Sequence, residues 1–402
     1  MKVSHLVRAS ALLTAIAGVL VLASAAPPLT TAARAQSPAR IVAIGDVHGA
    51  NEAFVQILQT AGLIDAQQKW SGGTAVLVQT GDVFDRGPGV KAALDLLMRL
   101  EDEARRAGGR VEALIGNHEG MNLLGDFRDV SDAAFASFAD SRSEDRRKRA
   151  YDDYLKTAKR REGRGDPVAS RDEWMAAHPP GFVEYVDALG PRGKYGKWIR
   201  SHKVVTSVNR SAFMHAGIRP DLPGTLDDVN RVAADDIAKW DATRTMMAQA
   251  QLVPPFCTLK EAVSAAAAEI ERIAAAIKAK TPLEDSVTRE YVDRLQALLQ
   301  IDTWSLVDGE GPLWFRGYAQ LPETPDNNAQ LTALLTKLGV DRFVTGHTPM
   351  LPAGRITARF NKRFFLIDTG MLSTYFKGGR ASALEIQDGR ITAIYADTKT
   401  SF

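Results

Sequence analysis

Cysteine is nearly absent: Cys257 is the only one in 402 residues. No disulfide can close within the chain, and thiolate metal sites or a cysteine nucleophile lose their raw material. Cys257 sits in VPPFC, outside every polar block described below, and reads as a small packing residue. An excess of one charge is also missing. Fifty Lys and Arg stand against 48 Asp and Glu, a net of +2, so the charge balance gives no reason to expect nucleic acid as a partner. Histidine is scarce as well, at seven residues. Four of the seven fall in short glycine-flanked blocks, and that clustering carries the functional reading.

One long apolar run lies at the start. Lys2 and Arg8 form a basic region, residues 9–26 are nearly all apolar, and Ala33-Arg34-Ala35 ends the stretch in the small-x-small manner. This reads as a secretory signal peptide over residues 1–35, with the mature chain beginning at Gln36. The alternative is an uncleaved anchor facing the periplasm, because the run is close to the shortest membrane span. The expectation is a periplasmic or secreted protein with no stable membrane insertion after cleavage. The length allows two or three domains or one large one. The reading adopted is one domain over residues 36–402, with helical insertions near 125–200 and 220–305.

Short apolar segments at 41–44, 74–79 and 111–115 read as buried strands, each ending just before a glycine. Helical spacing of apolar residues at 52–61 and 90–107 separates them. That alternation predicts a largely parallel α/β sheet with polar blocks at the carboxyl ends of its strands, where ligands gather. Strands follow at 211–214, 342–345, 364–367, 381–386 and 390–395, with Asp388-Gly389 as a hairpin turn. A helix over 330–338 should stop at Gly339. The mixed-charge stretch 141–164 reads as a solvated helix face whose nearby aromatics pack on something. Residues 259–300 read as an antiparallel helix pair, the second helix starting at Thr281-Pro282-Leu283-Glu284 as a capping box.

The blocks are GDVHG at 45–49, GDVFDRG at 81–87, GNHE at 116–119, MHAG at 214–217 and GHT at 346–348. Asp46 and His48 lie two apart on a strand exit and can face one ion. Asp82 is short enough to bridge two ions through its two oxygens. Asn117 offers a neutral carbonyl oxygen, and His215 and His347 one imidazole nitrogen each. This mixed oxygen and nitrogen set, without thiolate, suits manganese, iron, zinc, cobalt or nickel better than calcium. Two divalent ions against Asp46, Asp82 and a bridging hydroxide leave a site of about +1, which attracts phosphate. The hydroxide would be the nucleophile, with no phosphoenzyme. His118 is placed to protonate the leaving oxygen, with Asp85 holding its other nitrogen, and Arg86 can grip phosphate in a planar fork. His178 and His202 belong to no block and are read as structural.

Taken together, GDVHG, GDVFDRG and GNHE make the chain resemble the calcineurin-like metallophosphoesterase superfamily, and the DRG and GNHE forms its phosphoprotein phosphatase branch. The leader, GPLWFRGY at 311–318 and the GHT ending most resemble bacterial Shewanella-like protein phosphatases. The resemblance implies an α/β/β/α sandwich with a centre of two divalent metal ions, manganese favoured. It implies Asp46, His48 and Asp82 on one ion and Asp82, Asn117, His215 and His347 on the other. It also implies the His118–Asp85 proton-donor pair, Arg86 and Asn117 on the phosphate, and Arg316 as a second phosphate-binding arginine. Ala216 stands where the branch usually has glycine. The substrate expected is a phosphorylated protein (at Ser, Thr or Tyr) or a small phosphomonoester. A dinucleoside polyphosphate or nucleotide hydrolase and a catalytically inactive phosphoprotein-binding scaffold are the alternatives.

Overall fold

Three parallel strands lie side by side at the start of the fold: β1 (Ile41–Ile44), β2 (Val76–Gln79) and β3 (Arg110–Ala113), with Ile41 opposite Val76 and Val76 opposite Arg110. The computed structural model describes residues 40–160, 168–222 and 224–402, without the side chains of residues 159 and 160. The leader read at residues 1–35 lies outside the described residues. The crossovers are α1 (Asn51–Thr60) and α2 (Val90–Arg106), within a residue of the helices read from spacing. The helix α3 (Asn117–Leu123) starts inside GNHE itself. The described residues between 125 and 200 carry five helices, α4 (Asp132–Ala136), α5 (Ser143–Arg160), α6 (Arg171–Ala177), α7 (Phe182–Leu189) and α8 (Lys194–Arg200). In α5 the charged residues Glu144, Asp145, Lys148 and Arg149 are exposed while Ala150, Tyr154 and Ala158 are buried, the solvated face expected.

The second sheet opens with β4 (Val205–Val208) and β5 (Ser211–Met214). Then come the long α9 (Leu226–Gln249), α10 (Leu259–Ala279) and α11 (Arg289–Leu298), followed by α12 (Gly317–Gln320) and α13 (Pro325–Leu338). The strands β6 (Arg342–Thr345), β7 (Thr357–Arg359) and β8 (Phe364–Leu366) complete this sheet in the order β4-β5-β6-β8-β7. The last strands, β9 (Ser382–Gln387), β10 (Arg390–Tyr395) and β11 (Lys399–Ser401), return to the first sheet as its antiparallel half, in the order β11-β10-β9-β1-β2-β3. Both sheets are therefore mixed, not largely parallel. The strands missed by sequence (β4, β7 and β11) are antiparallel edge strands; β7 and β11 have three residues each and no fully buried position.

The period-two alternation of strands sets the layers. Ile41, Ala43, Val76 and Val78 point inward and share an apolar cluster with Phe213, Val344, Phe365 and Ile367 of the second sheet. Val42, Ile44 and Leu77 point the other way, into the cluster that holds Phe54, Ile57, Leu94 and Leu97 of α1 and α2. Met214, Phe343 and Phe364 likewise join Leu331 and Leu335 of α13 in that larger cluster. The result is helices outside and two sheets face to face within, an α/β/β/α sandwich.

The start of α11 differs from the sequence reading. Its cap is Thr288, whose hydroxyl accepts from Tyr291 N. Thr281 instead closes the previous helix: Lys280 is left-handed (φ 57°) and Thr281 N donates to Ala276 O, which satisfies one of the last carbonyls of α10. A segment consumed in ending one helix cannot also begin the next.

Candidate metal centre

Each polar block leaves a strand through a sharp turn. His48 (φ 46°), Asp82 (φ 60°), Asp85 (φ 70°), Arg86 (φ 64°) and His347 (φ 65°) are all left-handed and none is glycine. Such residues cost roughly 1–3 kcal/mol each and persist where the surroundings over-determine them. The glycines beside them permit backbone and carboxylate to meet. A Cβ at Gly116 would lie 2.4 Å from Asp82 Oδ1, and one at Gly346 would lie 2.3 Å from Asp46 Oδ1. The blocks are also tied together through Glu119, which sequence reading passed over. Its carboxylate accepts from Asp82 N (2.7 Å), Val83 N (2.8 Å) and Gly116 N (2.7 Å), fixing one block against another.

Two groups of donor atoms meet at Asp82. In the first, His48 Nε2 lies 3.7 Å from Asp46 Oδ2 and 3.6 Å from Asp82 Oδ2. In the second, His215 Nε2 lies 3.3 Å from Asp82 Oδ2, 2.7 Å from Asn117 Oδ1 and 3.1 Å from His347 Nδ1. Asp82 Oδ1 accepts from His118 N at 2.9 Å. Both groups are therefore served by the single oxygen Oδ2, where sequence reasoning expected one oxygen for each. The imidazoles are oriented from behind: His48 Nδ1 donates to Phe84 O (2.9 Å) and His215 Nδ1 to Thr80 O (3.0 Å), so each turns Nε2 inward.

The residues fit a pair of divalent cations. Ligands bound at about 2.0–2.2 Å and separated by tetrahedral or octahedral angles stand about 3.0–3.5 Å apart, close to the spacings here. His215 Nε2 faces three acceptors at once, which only a proton or a cation can satisfy. Burial opposes a charge on His215, yet Asp82 beside it holds its pKa above the usual imidazole value. Burial lowers His48 to about 3, and burial with the charges of His215 and Arg316 lowers His347 to about 2. Both stay neutral, the form that ligates. Carboxylates crowd the same floor. Burial, then the charges of Asp368 and Asp82, push Asp46 well above the ordinary carboxylate range, a repulsion that cations relieve.

Asp368 is the carboxylate that motif reading missed. It is buried, accepts from Gly370 N (2.9 Å), and burial raises its pKa to about 6. Its signal was present, since Asp368-Thr369-Gly370 follows a buried strand as the other blocks do, but without a histidine.

Next to the donor groups stands the pair His118 Nδ1–Asp85 Oδ2, 2.6 Å apart and buried. Burial works against a charge on His118, but Asp82 and the hydrogen bond from Asp85 outweigh it and lift the pKa to about 9. Arg86 lies across the opening, its guanidinium on the Nε2 atoms of His48 and His118 (3.1 Å to the latter) and 5.0 Å and 5.2 Å from the ring centres of Tyr375 and Phe376. The His48 Nε2 lone pair can serve Arg86 or a cation, not both. Arg316 lines the same cavity, with Nη1 committed to His347 O (2.7 Å) and Thr348 Oγ1 (2.9 Å). The cavity encloses about 390 Å³, with Asp46, His48, Asp82, Asn117, His118 and His347 in its walls. Asp85 and His215 lie behind that wall. His178 and His202 stand elsewhere, bonded to Trp174 O (2.7 Å) and Glu101 (2.8 Å).

Calcineurin-like phosphoesterase is the family description that matches, over residues 39–232. An uncharacterised protein of Schizosaccharomyces pombe is 28% identical over 372 residues, 90% of this chain and 83% of that one. Shewanella-like protein phosphatase 2 of Arabidopsis thaliana is 46% identical over 105 residues, 26% of this chain and 27% of that one. Among solved structures, the cold-active protein-tyrosine phosphatase of a psychrophile Shewanella species has the same fold, with a TM-score of 0.56 at 23% identity over 90% of this chain and 80% of that one. With the five blocks gathered on one sandwich edge, the chain carries a calcineurin-like phosphoesterase domain, matched over residues 39–232.

Proposed function

We propose that this protein is a dimetal-dependent phosphomonoesterase that transfers the phosphoryl group directly to water. The observation that carries the reading is the convergence of two donor groups on Asp82 Oδ2, beside a carboxylate-held histidine and three arginines (Arg86, Arg128 and Arg316) in one cavity. When bound, a pair of divalent ions supplies Lewis-acid polarisation of the phosphoryl oxygens and an activated water. Asp46, His48 and Asp82 would hold one ion, and Asp82, Asn117, His215 and His347 the other. Arg86, Asn117 and Arg316 bind and orient the phosphate. His118, kept in one orientation by Asp85, delivers its Nε2 proton to the leaving oxygen. Among the described residues lining the cavity none is a serine, threonine or cysteine, and the carboxylates of Asp46 and Asp82 and the imidazoles are assigned to the ions and the proton transfer, with water as the proposed nucleophile.

The substrate proposed is phosphorylated Ser, Thr or Tyr in protein, in keeping with the names of the phosphatase relatives. Tyr375, 61% exposed, and Phe376 beside Arg86 give the mouth an aromatic side, which suits an aryl phosphate. Manganese is the proposed native ion and the periplasm or exterior the proposed location.

The test is phosphate release by the chain from Gln36 with added manganese. Phosphoserine, phosphothreonine and phosphotyrosine peptides and diadenosine tetraphosphate would each be run with and without chelator. Chelator-sensitive release from the peptides is expected. Cleavage of the dinucleotide alone, or no release with metal bound, would overturn the reading.

A further inference from the structure

None of the five blocks includes residues 125–200, yet that stretch meets the proton-donor pair twice: Asp129 Oδ2 lies 3.9 Å from His118 Nε2, and Tyr185 is linked to the pair through Asn122. Tyr185, on α7, is fully buried, and its ring meets Phe127, Phe135 and Phe138 edge-on at 5.8, 5.0 and 4.9 Å. Those contacts fix where its hydroxyl ends. The hydroxyl donates to Asn122 Oδ1 at 2.6 Å. Asn122 Nδ2 donates to Asp85 Oδ1 (2.9 Å) and to His118 O (2.8 Å), and Asp85 Oδ2 accepts from His118 Nδ1 (2.6 Å). All four side chains are buried.

The order of donors in this chain is forced. An ionised carboxylate only accepts, so Asn122 has to turn its NH₂ toward Asp85. Its carbonyl then faces Tyr185, and the phenol has to donate. A flipped amide would set carbonyl oxygen against carboxylate oxygen. Proton transfer from His118 requires the imidazole to be aimed at the leaving oxygen, and Asp85 is aimed by Asn122. We propose that Tyr185, acting through Asn122, is a positioning residue for the Asp85–His118 pair, so that the helical insertion is part of the proton-delivery apparatus. The proposal rests on the phosphatase reading above.

Tyr185→Phe keeps the ring and removes the hydroxyl. In the full chain with manganese, kcat on a phosphoserine peptide should fall about 3- to 10-fold, the worth of one hydrogen bond, with KM unchanged. Hydrolysis of p-nitrophenyl phosphate, whose leaving group scarcely needs a proton, should stay at the wild-type rate. In a His118→Gln background, Tyr185→Phe should cost nothing more, as expected for residues acting as one unit. In the metal-free protein, the downfield imidazole proton of His118 should shift. Equal loss on both substrates, a loss undiminished in the His118→Gln background, or wild-type rates with an unmoved proton resonance would overturn the proposal. Absence of chelator-sensitive turnover in the wild type would defeat the phosphatase reading instead, and the proton resonance would still decide whether Tyr185 positions His118. If Tyr185→Phe does not fold, Asn122→Ala is read by the same measurements.

Discussion

A single oxygen, Asp82 Oδ2, stands between both donor groups, 3.6 Å from His48 Nε2 and 3.3 Å from His215 Nε2. Asp82→Asn keeps the shape and removes the charge. It is expected to abolish chelator-sensitive phosphate release while leaving the circular-dichroism spectrum unchanged, since an amide is a poor shared ligand for two cations. Near-normal turnover in that variant would refute the dimetal reading. His118 gives a pH-dependent expectation. Its pKa is raised from 6.5 to about 9 in the folded chain, so the charged form adds stability fully present below pH 6.5 and lost as pH rises through about 9. Thermal melts of the metal-free protein from pH 6 to 10 should show this alkaline loss, and His118→Gln should flatten it. In the metal-loaded enzyme, His118→Gln should lower kcat about 10²- to 10³-fold, with the larger loss on alkyl phosphates.

At the scale of the element, turns and caps decide more than propensity. The first turn of α3 lies within GNHE, so Asn117 and His118 occupy consecutive helical positions and face different partners. The displaced start of α11 offers a clean discrimination. Thr288→Ala should cost about 1 kcal/mol by urea denaturation, because the hydroxyl caps the helix. Thr281→Ala should fall within about 0.5 kcal/mol of wild type, because only its backbone N–H is used. The reverse ranking would restore the helix start read from the capping-box pattern.

For the whole molecule, the donor groups come from both sheets, so a bound cation pair is expected to act as a clasp between them. Asp46, His48 and Asp82 follow β1 and β2 of the first sheet, whereas His215 and His347 follow β5 and β6 of the second. A cation pair held by both sets stabilises only the closed sandwich. At a hundredfold excess over Kd, binding contributes about 2.7 kcal/mol, so manganese should raise Tm by about 3–6 °C. Scanning calorimetry with and without chelator checks this, and Asp82→Asn should lose most of the shift. An unchanged Tm in wild type would mean that the donor groups do not take up metal together.

Much of this protein is determined locally and could be read from the chain. A buried strand that ends in Gly-Asp or Gly-Asn has to turn there, so the residue types of the centre and their placement at strand ends follow from sequence alone. So do α1, α2 and the Asp388-Gly389 hairpin, whose patterns span a few residues. Other features depend on which distant segments pack together. Asp368 meets Asp46 across more than three hundred residues, and Tyr185 meets Asn122 across sixty-three. The same is true of the choice of one Asp82 oxygen for both donor groups, which was settled when His118 N claimed the other. Those contacts have no local signature, because a hydrogen bond made by tertiary packing imposes no period or motif on either partner. Sequence determined the donors, and the sandwich determined how they are aimed.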